Sequence, residues 1–140
     1  MFEQLPTYAE LYCISNFSFL RGASFPEELV RTARELGYRA LAITDECSLS
    51  GAVRAHVAAK EHGLKLIVGA EFRFPEGFRL VLLARNRKGY GELSHLISCA
   101  RRDSAKGSYR IDRAMLEGNR PVDCLLLWLP DFSRPRDVVE

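Results

Sequence analysis

Short apolar runs of strand length recur along this chain and are separated by segments of helical periodicity. The runs at residues 40–44 (ALAIT), 78–84 (FRLVLLA) and 124–129 (CLLLWL) are largely apolar rather than strictly alternating. Such runs are typical of strands covered on both faces, as in a sheet with helices packed against it. The order strand, helix, strand, helix, strand pair, helix, strand therefore predicts an α/β fold with a mainly parallel sheet, layered or closing into a barrel.

Turn and cap residues delimit the remaining elements. Residues 9–15 and 64–74 are predicted strands, and the turn at residues 75–77 joins the second of them to the run at 78–84 as a hairpin. In the second helix, Val53 and Val57 are expected to face inward. The predicted helices are residues 24–36 ended by Gly37, residues 49–62 ended by Gly63, residues 90–100, and a short helix capped by Asp112 and running through Leu116.

Composition and charge limit the class of protein. The 140 residues are 47% hydrophobic and 27% charged, which suits one globular domain or part of a larger one. No apolar run approaches the roughly 18 to 20 residues of a membrane span, and the start lacks the pattern of a signal peptide, so we expect a cytoplasmic protein with no membrane partner. Twenty Lys and Arg against 18 Asp and Glu give a net charge of +2, which neither requires nor excludes nucleic acid.

The cysteines and the end of the chain add two expectations. Cys13, Cys47, Cys99 and Cys124 lack zinc-site spacing, so we expect reduced thiols. A parallel strand at the end of a series of strand–helix units is normally followed by another crossover, yet the chain stops at Glu140. We therefore expect one domain over residues 1–140 that is the incomplete N-terminal part of a longer protein.

The residues best placed for chemistry follow the predicted strands. In parallel α/β folds, the loops at the carboxyl ends of the strands form the site. Those positions are Ser15-Asn16 onward, Asp45-Glu46 and Glu71, with Arg79 beside Glu71 on the returning strand.

Four ordered motifs resemble one known domain family. The runs SNFSFLRGAS, ALAITDECSLSGAV, LIVGAEF and LLARNRKGYGELSHLIS, in this order and spacing, resemble the N-terminal PHP domain of bacterial C-family DNA polymerases, the DNA polymerase III alpha type. The resemblance is strongest over residues 8–113 and best fits the error-prone, damage-inducible branch. It implies the N-terminal part of a distorted (β/α)7 barrel, and a parent enzyme that acts in translesion synthesis after DNA damage.

Active members of this family, the resemblance implies, hold three metal ions for phosphoester hydrolysis. That chemistry needs clustered histidines and carboxylates, and this sequence departs from the pattern. The matched positions are Tyr12 and Ile14 in place of H-x-H, Arg21 in place of an aspartate, the retained Asp45, Glu46 in place of a histidine, the retained Glu71, and Arg79 in place of a histidine.

We therefore expect no catalytic residue, metal ligand or cofactor in this segment, and Mg²⁺ only in the parent polymerase. Arg21 and Arg79 are expected near Glu46 and Glu71, where charge-assisted hydrogen bonds would replace the metals. The expected partners are the remainder of the polymerase chain, DNA through the parent enzyme, and replication or mutagenesis accessory proteins. Two alternatives stay open: a metal-dependent PHP phosphoesterase and a non-catalytic module that binds replication proteins.

The remaining candidates receive structural interpretations. His56, His62 and His95 are expected on the surface, because their positions do not form a ligand set on one helix face. Phe17 and Phe19 are expected to pack in the core, although they could line a site. A basic stretch is expected to be a solvated helix end and loop, with contact to a nucleic-acid backbone as the alternative; it comprises Arg101, Arg102, Lys106, Arg110 and Arg113.

Overall fold

The chain folds as a mixed α/β domain around a five-stranded sheet in the computed structural model, which describes residues 7–102 and 104–130. The expected end of the domain at Glu140 lies outside these ranges. The strands are β1 (Ala9–Glu10), β2 (Ala40–Ile43), β3 (Lys65–Arg73), β4 (Arg79–Ala84) and β5 (Cys124–Leu129). The helices are α1 (Pro26–Glu35), α2 (Ala52–His62), α3 (Arg87–Arg102) and α4 (Arg113–Gly118).

The sheet has the order β1-β2-β3-β4-β5 and is mixed in direction. β1, β2 and β3 are parallel to one another, whereas β4 and β5 each run antiparallel to the preceding strand. The predicted hairpin between β3 and β4 is confirmed, but the prediction of a mainly parallel sheet is wrong. Ala84 at the end of β4 pairs with Cys124 at the start of β5. Since α3 and α4 return the chain to the end of the sheet that it left, β5 runs back beside β4.

The first strand is shorter than predicted. Only Ala9–Glu10 pair regularly with β2, although residues 9–15 were expected to form a strand. Beyond Glu10 the chain stays beside β2 through single contacts: the amide of Cys13 donates to Thr44 Oγ1 at 3.0 Å, and the amide of Thr44 donates to the Cys13 carbonyl at 2.8 Å. A side chain thus replaces one backbone partner, which interrupts the ladder.

The helix ends follow the sequence signals closely. Gly37 after α1 and Gly63 after α2 have φ values of +76° and +63°, the left-handed conformation that glycine adopts without strain. Asp112 caps α4 by accepting a hydrogen bond from the amide of Met115 at 2.8 Å. Both stop signals and this cap are confirmed.

Two predictions about burial are wrong. Val53 and Val57 of α2 are exposed, and the inward face carries alanines instead, because α2 packs against α1 and uses small side chains there. β5 was expected to be buried, yet Leu126 and Trp128 are more than half exposed. Among the described residues β5 pairs only with β4, so it forms an edge of the sheet.

The described cysteines are all free thiols. Within residues 7–102 and 104–130, no helix combines the length and the hydropathy that crossing a membrane requires.

Candidate functional site

The predicted pocket residues converge at the carboxyl ends of the parallel strands. Tyr12 follows β1, Glu46 follows β2, and Glu71 lies within β3. The amide of Glu71 donates to the carbonyl of Asp45 at 3.1 Å, and the amide of Cys47 donates to the carbonyl of Glu71 at 2.8 Å. These bonds form a parallel bridge between Glu46 and Glu71, so the two glutamates lie side by side.

Arg21 joins the two glutamates. Its Nη1 lies 2.7 Å from Glu46 Oε2 and 3.0 Å from Glu71 Oε2. Glu71 is fully buried, and a buried carboxylate without a counter-charge strongly destabilises a fold. The contact with Arg21 therefore compensates the burial of Glu71.

Two further arginines approach the same glutamates. Arg73 Nε lies 3.4 Å from Glu46 Oε1 and 3.6 Å from Glu71 Oε1, and Arg79 Nη1 lies 3.6 Å from Glu71 Oε1. The last two distances are ion-pair rather than hydrogen-bond contacts, and Glu71 Oε1 accepts no hydrogen bond from the described residues. We call the set of Arg21, Glu46, Glu71, Arg73 and Arg79 the ion-pair cluster; it holds three cations and two anions.

Two tyrosines add hydrogen bonds to the ion-pair cluster. The hydroxyl of Tyr12 donates to Glu71 Oε2 at 2.8 Å and accepts from Arg21 Nη2 at 3.2 Å. The hydroxyl of Tyr109 donates to Glu46 Oε1 at 2.9 Å and accepts from the amide of Arg73 at 2.9 Å. Each hydroxyl therefore both donates and accepts, so Tyr12 links Glu71 to the guanidinium of Arg21 and Tyr109 links Glu46 to the backbone of Arg73.

The contacts between Arg21 and Glu46 favour the charged forms of these two residues. Burial opposes the charge on Glu46, but hydrogen bonds from Arg21 and Tyr109 outweigh it and hold the pKa of Glu46 below its ordinary value. Burial likewise opposes the charge on Arg21, while its bonds to both glutamates raise the pKa of Arg21 further above its usual range. Burial, followed by the hydrogen bond to Glu71, raises the pKa of Tyr12.

Asp45 lies beside the cluster but serves a different set of contacts. It is buried and accepts hydrogen bonds from the Ser15 amide at 2.7 Å, the Ser15 hydroxyl at 2.7 Å and the Ser18 hydroxyl at 2.8 Å. We call residues 15–22 the aromatic loop. A Cβ on Gly22 would lie 2.0 Å from the Ser15 carbonyl oxygen, so only glycine allows this loop to close on itself.

The donor set of this pocket does not suit a cluster of divalent cations. Ile14 is half-buried and its aliphatic side chain has no lone pair to offer. Arg21 occupies the oxygens of Glu46 and Glu71 that a metal would need, and guanidinium groups repel cations. Arg79 adds a further positive charge beside Glu71.

Sequence reasoning missed several residues of the site. Arg73 lies two positions after Glu71 on β3, and residues i and i+2 of a strand share a face, so this signal was present in the sequence. Tyr109 comes from the loop after α3, and no local pattern indicates that its hydroxyl reaches Glu46. Ser15 was expected at the site because it ends the first predicted strand, but nothing in the sequence indicated that Ser15 and Ser18 both bind Asp45.

The structure also tests the predictions made for the histidines and for Phe17 and Phe19. His56, His62 and His95 are exposed, as expected. The expectation of core packing for Phe17 and Phe19 is wrong: the hydrogen bonds to Asp45 hold the aromatic loop so that Phe19 is 85% exposed. The described residues contain no group of three His, Cys, Asp or Glu side chains arranged to hold a metal ion.

Comparison with known proteins identifies the domain. The PHP domain family matches residues 10–127. The chain is 61% identical to an error-prone DNA polymerase of Dechloromonas aromatica over 90% of its own length, and 60% identical to one of Alkalilimnicola ehrlichii over 93%. It spans only 13% and 12% of the lengths of those two relatives.

Solved structures share the fold. A candidate metal-dependent phosphoesterase of Bifidobacterium adolescentis superposes with a TM-score of 0.58 at 26% identity, covering 71% of this chain and 35% of that one. An amidohydrolase of Chromobacterium violaceum has the same TM-score at 23% identity, covering 69% and 34% of the two chains, and so shows the fold alone. With the family match extending over most of its length, the chain belongs to the PHP domain family.

Proposed function

We propose that this chain is the N-terminal PHP module of an error-prone DNA polymerase that acts in translesion synthesis and the response to DNA damage. The observation that carries the proposal is the identity of about 60% to error-prone DNA polymerases over nine-tenths of the chain. The small share of those relatives that the chain spans supports a longer parent protein, which would work in the cytoplasm and use Mg²⁺ for nucleotidyl transfer.

The module itself is structural in this proposal. The ion-pair cluster would take the place of the metal ions, and Tyr12, Ile14, Arg21 and Arg79 stand where the family pattern has metal ligands. The following part of the polymerase chain would complete the (β/α)7 barrel and cover β5. The partners are then that remaining chain, DNA held by the whole enzyme, and accessory proteins of replication or mutagenesis.

Primer extension tests the polymerase assignment. The full-length polypeptide that contains this segment should extend a primer past an abasic site when supplied with Mg²⁺ and nucleotides. An antibody against this segment should also detect a damage-induced species many times larger than 140 residues in the cells of origin. A stable product of 140 residues in those cells would overturn the assignment and favour a free interaction module.

The similarity to a candidate metal-dependent phosphoesterase supports a second candidate function, hydrolysis of phosphoesters. Metal analysis separates the two. We expect the full-length polypeptide, loaded with Mn²⁺, Fe²⁺ or Zn²⁺ and dialysed, to retain the same amount of metal as its Glu71→Gln variant. Retention of metal that Glu71→Gln loses, together with hydrolysis of bis(4-nitrophenyl) phosphate, would establish the phosphoesterase instead.

A further inference from the structure

A groove of about 370 Å³ opens beside the ion-pair cluster. Its lining includes Phe17 and Phe19 of the aromatic loop together with Arg101 and Tyr109, and it shares Glu46 with the ion-pair cluster. We call it the aromatic groove. Its volume lies near the lower end of the range for ligand pockets, roughly 300 to 1,000 Å³.

The backbone conformation of the aromatic loop exposes its apolar side chains to solvent. Phe19 and Leu20 are 85% and 89% exposed, and Leu20 has a φ of +60°, a strained conformation for a branched side chain. Buried bonds from Ser15 and Ser18 to Asp45 stabilise this geometry. A loop that buried hydrogen bonds hold in a strained conformation, with apolar groups exposed, indicates a partner that covers those groups.

Several contacts hold Arg101 in the lining of the aromatic groove. Its Nε donates to the Cys47 carbonyl at 2.9 Å, its Nη1 donates to the Ser108 carbonyl at 3.4 Å, and its guanidinium lies 5.9 Å from the centre of the Tyr109 ring. Its Nη2 has no hydrogen-bond partner in residues 7–102 and 104–130. The group is therefore positioned with donor capacity left for an anion.

The segment that supplies Arg101 and Tyr109 to the aromatic groove is basic. Residues 101–110 contain four Lys and Arg against one Asp, and Lys106 and Arg110 are exposed next to the lining residues Gly107 and Tyr109. Glu46, an acid in the lining, pairs with Arg21 at 2.7 Å and accepts a hydrogen bond from the Tyr109 hydroxyl at 2.9 Å. Basic groups beside an exposed aromatic ring are typical of sites that bind single strands.

We propose that the aromatic groove binds single-stranded DNA, with a base stacked on Phe19 and a backbone phosphate near Arg101. The inference rests on the proposed function, because a translesion polymerase works beside unpaired template. Duplex DNA suits the groove less well, since pairing hides the base faces that an aromatic ring would stack on. Aromatic residues and Arg are also enriched in protein interfaces, so the test below has to separate bound DNA from a covering protein.

Photo-crosslinking tests this proposal in the full-length polypeptide. A thymidine-rich 16-mer carrying 5-iododeoxyuridine is irradiated at sub-saturating concentration, and crosslinked peptides are identified by mass spectrometry. We expect crosslinks within residues 16–20 or 107–110, with yields that fall as salt rises. Phe19→Ala and Arg101→Gln should each lower that yield about tenfold, in line with the loss of one stacked base or one charged contact.

Phe25→Ala is the matched control, because Phe25 is a half-exposed ring outside the aromatic groove that is already covered by Arg54. The control should crosslink like the unchanged protein. Crosslinks confined to other regions, or equal yields for Phe19→Ala and Phe25→Ala, would overturn the proposal. So would equal competition by duplex DNA, or protection of residues 16–20 from hydrogen exchange without DNA, which would indicate that protein covers the groove.

Primer extension by the same samples keeps the two hypotheses apart. Extension without crosslinks in the aromatic groove removes the groove proposal and leaves the polymerase assignment standing. Crosslinks in the groove without extension support the groove and remove the polymerase assignment.

Discussion

Arg21 is the residue on which the ion-pair cluster most depends. It is the group within hydrogen-bond distance of both Glu46 and Glu71, whereas Arg73 and Arg79 approach Glu71 only at 3.6 Å. An arginine here does what a bound metal would do for two adjacent carboxylates: it places positive charge between them. Unlike a metal, it is part of the chain and cannot dissociate.

Removing the charge of Arg21 should therefore loosen the centre of the sheet. We expect Arg21→Met to lower the free energy of opening of β2 and β3 by about 3 kcal/mol, because Glu71 stays buried with weaker partners. Hydrogen exchange of peptides covering β2 and β3, measured in the full-length polypeptide, reports this change. Adding Glu71→Leu should restore part of the loss, since both buried charges are then absent.

A surface arginine provides the control for that experiment. Arg31 pairs with Glu35 on α1 at 3.9 Å, and both side chains are exposed. Arg31→Met should change the opening free energy by less than about 0.5 kcal/mol. If Arg21→Met had an effect no larger than Arg31→Met, the cluster would not stabilise the fold.

Glu46 gives the cluster a pH dependence at the acid end. Its pKa in the folded chain lies below its ordinary value of 4.5, so its contribution to stability is fully present above that value and is lost as pH falls through the folded-state pKa. We expect the urea concentration at which β2 and β3 lose half of their exchange protection to decrease as the pH is lowered below 4.5. Glu46→Gln should flatten that fall, and Glu61→Gln on the exposed face of α2 should leave it unchanged.

At the scale of elements, α3 can pack closely against Asp123, just before β5, because position 89 is a glycine. A Cβ on Gly89 would lie 2.2 Å from the carbonyl oxygen of Asp123, whereas one on Gly91 in the same helix would meet nothing within 4 Å. Gly89→Ala should therefore destabilise α3 and β5 by about 1 to 3 kcal/mol through overpacking. Gly91→Ala should stabilise α3 by about 0.5 to 1 kcal/mol through helix propensity. Hydrogen-exchange protection of α3, measured in both variants, distinguishes the two substitutions. Equal protection of α3 in Gly89→Ala and Gly91→Ala would contradict the close contact at Gly89.

Local signals in the sequence were sufficient for the ends of elements and insufficient for their packing. Gly37, Gly63 and Asp112 act within a few residues of themselves, so the sequence could predict the breaks that they cause. Which face of α2 turns inward depends on how closely α1 approaches, and hydrophobicity alone favoured Val53 and Val57 over the alanines. The direction of β5 depends on where α3 and α4 deliver the chain, which no local pattern encodes.

The difference between local signals and tertiary packing also explains which contacts of the ion-pair cluster the sequence could predict. Glu46 follows β2 and Glu71 lies within β3, so their places in neighbouring strands could predict that they meet, whereas the place of Arg21 followed from the resemblance to the PHP family. Tyr109 reaches Glu46 from 63 positions along the chain, and only the tertiary fold brings those two side chains together. A partner in a neighbouring strand is thus predictable from the order of the elements, whereas a partner from a loop, such as Arg21 or Tyr109, needs a motif resemblance or the structure itself.

At the scale of the whole molecule, β5 leaves an unfinished surface. Trp128 is 63% exposed and Leu126 is 51% exposed, and among the described residues the strand is paired on one side only. An open edge with apolar side chains is a site of self-association. We expect the 140-residue segment made alone to form oligomers in light scattering, and Leu126→Ser with Trp128→Ser to reduce them. The matched pair Val53→Ser with Val57→Ser, which removes exposed apolar groups from a helix, should not reduce them.

The same strand should behave differently inside the full-length polypeptide. If the following chain completes the barrel, the outer edge of β5 gains backbone partners, and all of its amides become protected. We expect hydrogen exchange of residues 124–129 to be much slower in the full-length polypeptide than in the segment made alone, with the exchange of β2 similar in both because its partners lie within the segment. Equal exchange of β5 in the two samples would mean that the edge stays open in the parent protein, and the barrel would have to close without it.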